Sequence, residues 1–505
     1  MLVAGPVAAL VAVVVGILTG ERLGPGDATA VLVVAVVAGA LAVLPWTGRR
    51  RVVALVVACL LLGVAGMQRA LHGLAASPLT RVVDARVDVS VRATLVDDPD
   101  GTRWSTDGLA RVDAWSARAG ATDRGAGGRR VVVRAGGEAG NRLRLLDAGE
   151  RFVARGWLAP LDGFDTRERW RHAVGVLHVT TVTAVAAPDG ALLAVANRAR
   201  RVVLAGADAL GPTDRALLAG FLLGDTRGVP DAVQAEFRAA GLTHLTAVSG
   251  GNVAFVLALV APVVRRLRVR GRVALSASVL VLFGTMTRWE PSVLRAIAMA
   301  AIALVAGHLG RPSTGLRVLL VAATALLLVD PFLLHSVGFL LSCTASLGIA
   351  LWSRPIADRL RGPAWVRDVL GVTAAAQLGV LPVLVPVFGS VPLVALPANL
   401  VAVPLAEPLT MWGIVAGLLD SAFGFLSPVV ARLVAVPTSA LLHALVAVAD
   451  VAARVPLALD ARGLAGLVAL GAAVAAAAVR PSRPRRRARS PGYVEVPRTQ
   501  EGRQR

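Results

Sequence analysis

Gly241-Leu-Thr-His244-Leu-Thr-Ala-Val-Ser249-Gly250-Gly251-Asn252-Val-Ala-Phe-Val256 sets His244, Ser249, Gly250, Gly251 and Asn252 at the head of an apolar run that continues to Val264. The run has the composition of a membrane helix, and its beginning is polar and easily interrupted. Polar side chains are costly in hydrocarbon and paired glycines weaken the helix ladder, so the pattern points to a water-lined path or a substrate contact. It also fits a tight helix crossing packed on small residues, with Ser249 and Asn252 bonded to a neighbour.

Outward from this stretch, the chain of 505 residues is 56% hydrophobic with a mean hydropathy of +0.68, which excludes an ordinary soluble protein. Apolar runs predict a polytopic α-helical membrane protein of about 12 spans. They fall near 2–20, 28–46, 52–71, 243–264, 273–288, 292–309, 316–330, 332–352, 368–387, 392–420, 428–450 and 462–480. Arg49, Arg50 and Arg51 follow the second, so that loop is read as cytoplasmic and the amino terminus as inside. Basic loops at Arg265–Arg272, Arg311–Arg317 and Arg354–Arg367 alternate with poorly basic ones such as Trp289-Glu290, in agreement with that start. The arginine-rich tail, 481–505, is then cytoplasmic and disordered in expectation. The first apolar segment lacks a basic leader and reads as a retained span.

Residues 78–190 differ in character. Short or alternating runs, Val82-Val83, Val87 to Val91, Val131 to Val133, Phe152-Val153, Gly156 to Leu158 and Val174 to Val182, are separated by Gly, Asp and Pro turns. They predict an inserted extracytoplasmic all-β domain whose size suits a five-stranded, OB-like barrel. Arg103, Trp104, Trp115, Arg129, Arg130, Arg134, Arg142 and Arg144 are its candidate DNA contacts, because bases stack on indoles while guanidinium groups follow the backbone. Trp157, in an alternating strand, reads as core. Residues 191–240 read as connecting helices of intermediate polarity, suited to a membrane surface.

Lys+Arg exceeds Asp+Glu by 53 to 32, and every one of those cations is arginine. Arginine forks suit phosphate, although a GC-rich coding bias or basic cytoplasmic loops produce the same surplus. Without lysine there is no Gly-x-x-x-x-Gly-Lys phosphate loop, so the chain supplies no nucleotide motor of that type. Cys59 and Cys343 lie inside apolar runs and imply neither a disulfide nor a metal site. No cofactor is expected.

Four further segments share an order with the opening stretch. Phe221-Leu-Leu-Gly-Asp225-Thr-Arg227 precedes it; Pro291-Ser-Val-Leu-Arg295-Ala296 with Met299 follows, then Asp330-Pro331 and Gly338-Phe339-Leu-Leu-Ser342. Gln377-Leu378, Pro382, Phe388-Gly389, Asn399-Leu400 and Pro404 close the set. In this ordered set the chain resembles the ComEC family, inner-membrane proteins that carry single-stranded DNA into competent bacteria. The resemblance implies an OB-like domain at 78–190 and a competence-type channel domain at 241–480, after amino-terminal membrane helices at 1–77 and the connecting helices at 191–240. It also implies a bacterial cytoplasmic membrane location with both termini inside. The implied partners are single-stranded DNA and membrane lipid, with a DNA receptor, an external nuclease and a cytoplasmic motor or single-strand binding proteins. The chain departs from the family where many members read Ser-Gly-Leu-His, since Gly251 and Asn252 stand there. Nor do its seven histidines include the His-x-His-x-Asp-His cluster of the metallo-β-lactamase-like domain that many members carry, so a form lacking that domain is expected.

Candidate residues along a route are His244, Ser249, Gly250, Gly251, Asn252, Arg295, Asp330, Gln377 and Asn399, polar groups set within or at the ends of apolar runs. Six prolines from Pro382 to Pro408 are expected to break or bend helices there, either as half-helices facing a passage or as kinks for packing. The expected function is a channel for uptake of single-stranded DNA, not an enzyme, with a transporter of a small solute or lipid as the alternative. A hydrolase built on Ser249 and His244 is disfavoured, because residues five apart do not share a helical face.

Overall fold

The computed structural model describes residues 4–26, 28–43, 48–101, 104–117, 124–311, 313–423, 428–455, 458–460 and 463. Apart from Gly463, the expected span at 462–480 and the tail at 481–505 lie outside these residues. Three helices open the chain, α1 (Ala4–Leu23), α2 (Thr29–Val43) and α3 (Gly48–Ala75). A β region follows, and then α6 (Ala191–Ala205), α7 (Pro212–Leu223) and α8 (Asp231–Ala239) lead into the main bundle. That bundle comprises α9 (Gly250–Arg266), α10 (Val269–Met286), α11 (Pro291–His308), α12 (Gly315–Val329), α13 (Val337–Ala357), α14 (Ala364–Phe388), α15 (Ala395–Phe423) and α16 (Pro428–Ala453). Among the described residues nine helices are long and apolar enough to cross a membrane, while Thr29–Ala40 and Gly315–Val329 are apolar but shorter. Many apolar helices with few charges make this a polytopic membrane protein.

The β region is a small closed barrel. Its long strands are β1 (Asp88–Leu95), β3 (Thr106–Ser116), β5 (Arg130–Ala135), β6 (Arg151–Ala159) and β7 (Ala173–Ala186), with two-residue strands β2 (Asp100–Gly101) and β4 (Arg124–Gly125) at the side of β3. The order β1-β6-β7-β5-β3 closes because β1 also pairs with β3, and only β5–β7 among these pairs is parallel. Closure removes the open sheet edges that would otherwise invite further pairing. Alternating inward residues, Val89, Val91, Ala93 and Leu95 of β1 and Phe152, Ala154 and Leu158 of β6, fill the interior. Helix α5 (Gly137–Arg144) lies between β5 and β6 and adds Ala139 and Leu143 to that core.

One expected strand is not a strand. Val82-Val83 belongs to the short helix α4 (Thr80–Ala85), since Leu79 and Val83, one helical turn apart, both bury into the barrel core. The proline-rich segment also differs from expectation. Helix α14 continues through Pro382 and Pro386, and α15 continues through Pro404 and Pro408. Each proline removes one ladder bond, but the rest of a long helix held by neighbours carries the break. The chain interrupts instead at Gly389, whose φ of 77° is the left-handed conformation that ends α14.

Close helix crossings rest on glycine. A Cβ on Gly348 of α13 would stand 2.3 Å from the Ala375 carbonyl oxygen, and one on Gly379 of α14 would stand 2.4 Å from that of Thr344. Backbones meet directly there, the arrangement by which membrane helices gain dispersion contacts where lipid offers no hydrophobic drive.

Candidate functional site

The barrel candidates occupy several separate environments. Trp115 is 5% exposed and packs in the barrel core, so its indole is not open to a base, whereas Trp104 is 86% exposed on the turn before β3. Arg103 lies outside the described residues. Arg130 donates to the Arg171 carbonyl at 3.3 Å, Arg144 to the Thr106 hydroxyl at 3.3 Å, and Arg142 to Glu138 at 2.7 Å and to the Val182 carbonyl at 3.0 Å. Arg129 reaches toward Gly73 at the end of α3. Arg134 sits between Asp165 and Asp107, at 3.0 and 2.9 Å, and these hydrogen bonds hold its guanidinium above the ordinary arginine range.

Strand register makes a row that residue spacing did not reveal. Asp107, Arg134, His178, Trp157 and Asp88 stand opposite one another across β3, β5, β7, β6 and β1. Trp157 is half-buried and stacks on His178 with ring centroids 3.9 Å apart and planes 11° apart, so it belongs to this outer row and not to the core. Burial, aided by Arg134, pushes the His178 imidazole below its usual range.

The barrel is joined to the helices by buried ion pairs. Asp98, in the loop after β1, accepts from Arg200 of α6 at 2.9 Å and from Arg288, just past α10, at 2.7 Å. Asp225, after α7, accepts from Arg200 and Arg227, each at 2.7 Å, and Arg200 also donates to the Met286 carbonyl at 2.5 Å. Arg288 donates to Asn197 at 2.8 Å, and Asn197 donates to the Ala148 carbonyl at 3.1 Å. Burial alone would raise the Asp98 carboxyl; Arg200 and Arg288 overcome that and hold it at about 2. Arg288 and Trp289 both have positive φ, 55° and 56°, a strained pair fixed by these bonds and by the Trp289 indole lying against Gly284. A second junction joins the 3-10 turn Gly163–Arg171 to the turn Pro331–His335: His172 meets Asp330 at 3.1 Å and Trp170 stacks on His335 at 3.8 Å. Asp330 is therefore a docking carboxylate at the barrel.

Glu290 orders the start of α9. Burial pushes its carboxyl up to about 7, although the Val248 N–H donates to it. Its carboxyl rests on Gly224, where φ is 74° and a Cβ would stand 2.2 Å from Oε1, so the glycine of the Phe221–Arg227 motif is a seat for that acid. Ser292 donates to the Val248 carbonyl at 2.7 Å, so Val248 is gripped on both sides, one residue before Ser249.

Beyond this grip the structure gathers Ser249, Gly250, Gly251, Asn252 and Arg295. The Ser249 hydroxyl donates to Asn252 Oδ1 at 3.2 Å, and Asn252 Nδ2 donates to the Phe221 carbonyl at 3.2 Å. Arg295 of α11 donates through Nε to the Ser342 hydroxyl of α13 at 2.7 Å, and its Nη2 lies 3.3 Å from where a Gly250 Cβ would stand. His244, exposed in the turn Thr243–Leu245, makes no hydrogen bond with Ser249 among the described residues, so no nucleophile–base pair is formed. Asn399 of α15 is 4% exposed; its Nδ2 donates to the Ala395 carbonyl at 2.8 Å and its Oδ1 has no partner among the described residues. Gln377 is half-buried on α14.

The family profile described as Competence protein matches residues 221–484, more than half of the chain, and spans the helices that carry this cluster. The chain belongs to the competence protein family. It is 27% identical over 247 residues to ComE operon protein 3 of Bacillus subtilis (strain 168), covering 48% of this chain and 31% of that protein. It is also 27% identical over 214 residues to the uncharacterized protein YcaI of Escherichia coli (strain K12), covering 39% and 28%. The matches thus span about a third of the length of these curated relatives. No solved structure matches the chain. In this competence-family chain, sequence reasoning missed Asp98, Arg200, Arg288 and Glu290. The signal available was charge set at the ends of apolar runs, as in Arg288-Trp-Glu290 between two spans.

Proposed function

We propose that this chain conducts single-stranded DNA across the bacterial cytoplasmic membrane during natural transformation, with the barrel outside and both termini inside. The barrel is read as OB-like: five long strands close in a Greek-key order with one parallel pair, and a helix lies between β5 and β6. One observation carries the reading. The loops after β1 and after β6, which in OB barrels contribute to oligonucleotide binding, are the loops seated on the helices through Asp98 and through Trp170 and His172. A strand held at that end of the barrel would be delivered to the membrane helices directly.

The bundle, about 12 spans in this reading, acts by binding and orientation and leaves covalent chemistry to other proteins. A surface receptor and an external nuclease would supply the strand, and a cytoplasmic motor or single-strand binding proteins would take it up. Deleting the gene in a transformable host is expected to abolish transformation while surface DNA binding persists. Unchanged transformation would remove this reading and favour a different cargo, a small solute or lipid. With purified full-length protein, strand affinity is expected to fall steeply as salt rises, because phosphate contacts release counterions; an affinity independent of salt would count against it.

A further inference from the structure

We propose that Arg295 and the first turn of α9 form a binding site for one phosphate group, whether the phosphodiester of a strand in transit or free inorganic phosphate. The proposal rests on the uptake function above and names the chemistry that one point of the route would recognise.

The site has two independent parts. Helix α9 is 17 residues long and begins at Gly250, and among the described residues nothing accepts the amide protons of Gly250 or Gly251. Its N-cap, Ser249, does not satisfy them, because its hydroxyl is turned to Asn252. Such a terminus presents free N–H groups and the positive end of the helix dipole. The second part is Arg295, 9% exposed within a membrane helix. Ser342 takes its Nε and the Met299 sulfur lies 3.0 Å from its Nη1, but among the described residues Nη2 has no hydrogen-bond partner, and it is the atom that stands against Gly250. No carboxylate pairs with this guanidinium among the described residues. Glu290, the acid nearest in sequence, is held at Val248 and Gly224.

A buried cation without a counter-ion is costly, and an arrangement that keeps one beside free amide donors is complementary to an anion. A planar guanidinium with an open nitrogen suits a tetrahedral oxyanion, which also accepts from the two amides. Glycine at 250 keeps that approach clear: a side chain there would meet Nη2 at 3.3 Å. Because each contact is to phosphate and none to a base, the site would hold any sequence equally.

The test uses full-length protein in detergent or nanodiscs, with inorganic phosphate and a thymidine homo-oligonucleotide as separate probes at matched ionic strength. Phosphate is expected to raise the melting midpoint of the wild type and not of Arg295→Gln, while Arg295→Lys retains a partial shift. In phosphate-free buffer Arg295→Gln is expected to melt at or above the wild type, since it removes an uncompensated charge. Strand affinity is expected to fall at least tenfold in Arg295→Gln. Absence of a phosphate shift in the wild type, or an equal shift in Arg295→Gln, overturns the site. If Arg295→Gln does not fold, an Arg295→Lys phosphate shift equal to that of the wild type has the same force. Strand binding that ignores Arg295 overturns the site and leaves the uptake reading intact. Phosphate binding that depends on Arg295 without any strand binding supports the site and removes the uptake reading.

Discussion

Glu290 and Arg295 occupy similar places, at the beginning of one membrane helix, and are treated oppositely. Glu290 is gripped by Val248 and seated on Gly224, yet burial raises its carboxyl from 4.5 to about 7. In the folded protein it therefore holds its proton between those values, where the unfolded chain has lost it, so stability falls as pH rises from 4.5 to 7. Glu290→Gln is expected to flatten that part of the profile and to raise stability at pH 8 by about 2–4 kcal/mol. Thermal melts of both proteins from pH 4 to pH 8 check this, and parallel profiles would show that the acid does not titrate there. Asp98 has the reverse sign. Its carboxyl is held at about 2, so its contribution is present above 3.8 and is lost only as pH falls toward 2. At this scale the opening stretch does hold a helix start, at Gly250, but its contact with Arg295 was not legible in the sequence. Glu290 was not, because nothing near it in sequence discloses that Gly224 and Val248 surround it.

At the scale of elements, spans follow from apolar length and their pairing follows from small residues. Helices α13 and α14 touch backbone to backbone at Gly348 and Gly379, and α15 meets α6 at Gly417, where a Cβ would stand 2.0 Å from the Val203 carbonyl oxygen. Gly379→Val is expected to force α13 and α14 apart at a cost of about 1–3 kcal/mol or more. A lowered melting midpoint with a reduced yield of monodisperse protein would report it; an unchanged midpoint would mean the helices separate freely. The closed barrel was foreseen in class, because alternation with turn residues marks most of its strands. Several elements escaped, helix α5 among them. β3 was not singled out, and Val82-Val83 became helix because a two-residue apolar run carries no period of its own. The prolines from 382 to 408 misled in a related way: local chemistry predicts a break, while the neighbours of a long helix decide whether the ladder continues through it.

Across the whole molecule, the barrel and bundle are tied by charge at one junction and by aromatic stacking at the other. Asp98→Asn leaves Arg200 and Arg288 buried with less compensation and is expected to cost about 3–5 kcal/mol. In Arg288→Gln combined with Asp98→Asn the loss should be less than the sum of the two, because they share one bond network. A double-mutant cycle in melting midpoints tests the coupling, and strict additivity would mean that Asp98 and Arg288 do not act together. The sequence by itself determined that this chain lives in a membrane, carries a β domain and belongs with competence proteins, because hydropathy, alternation and ordered motifs are local properties of the chain. Only the tertiary structure decided which loops of the barrel meet the helices, that Arg134 is neutralised while Arg295 is not, and that Asp330 serves docking. Counter-ions, burial and register depend on residues far apart in sequence, and they exist only once the chain has folded.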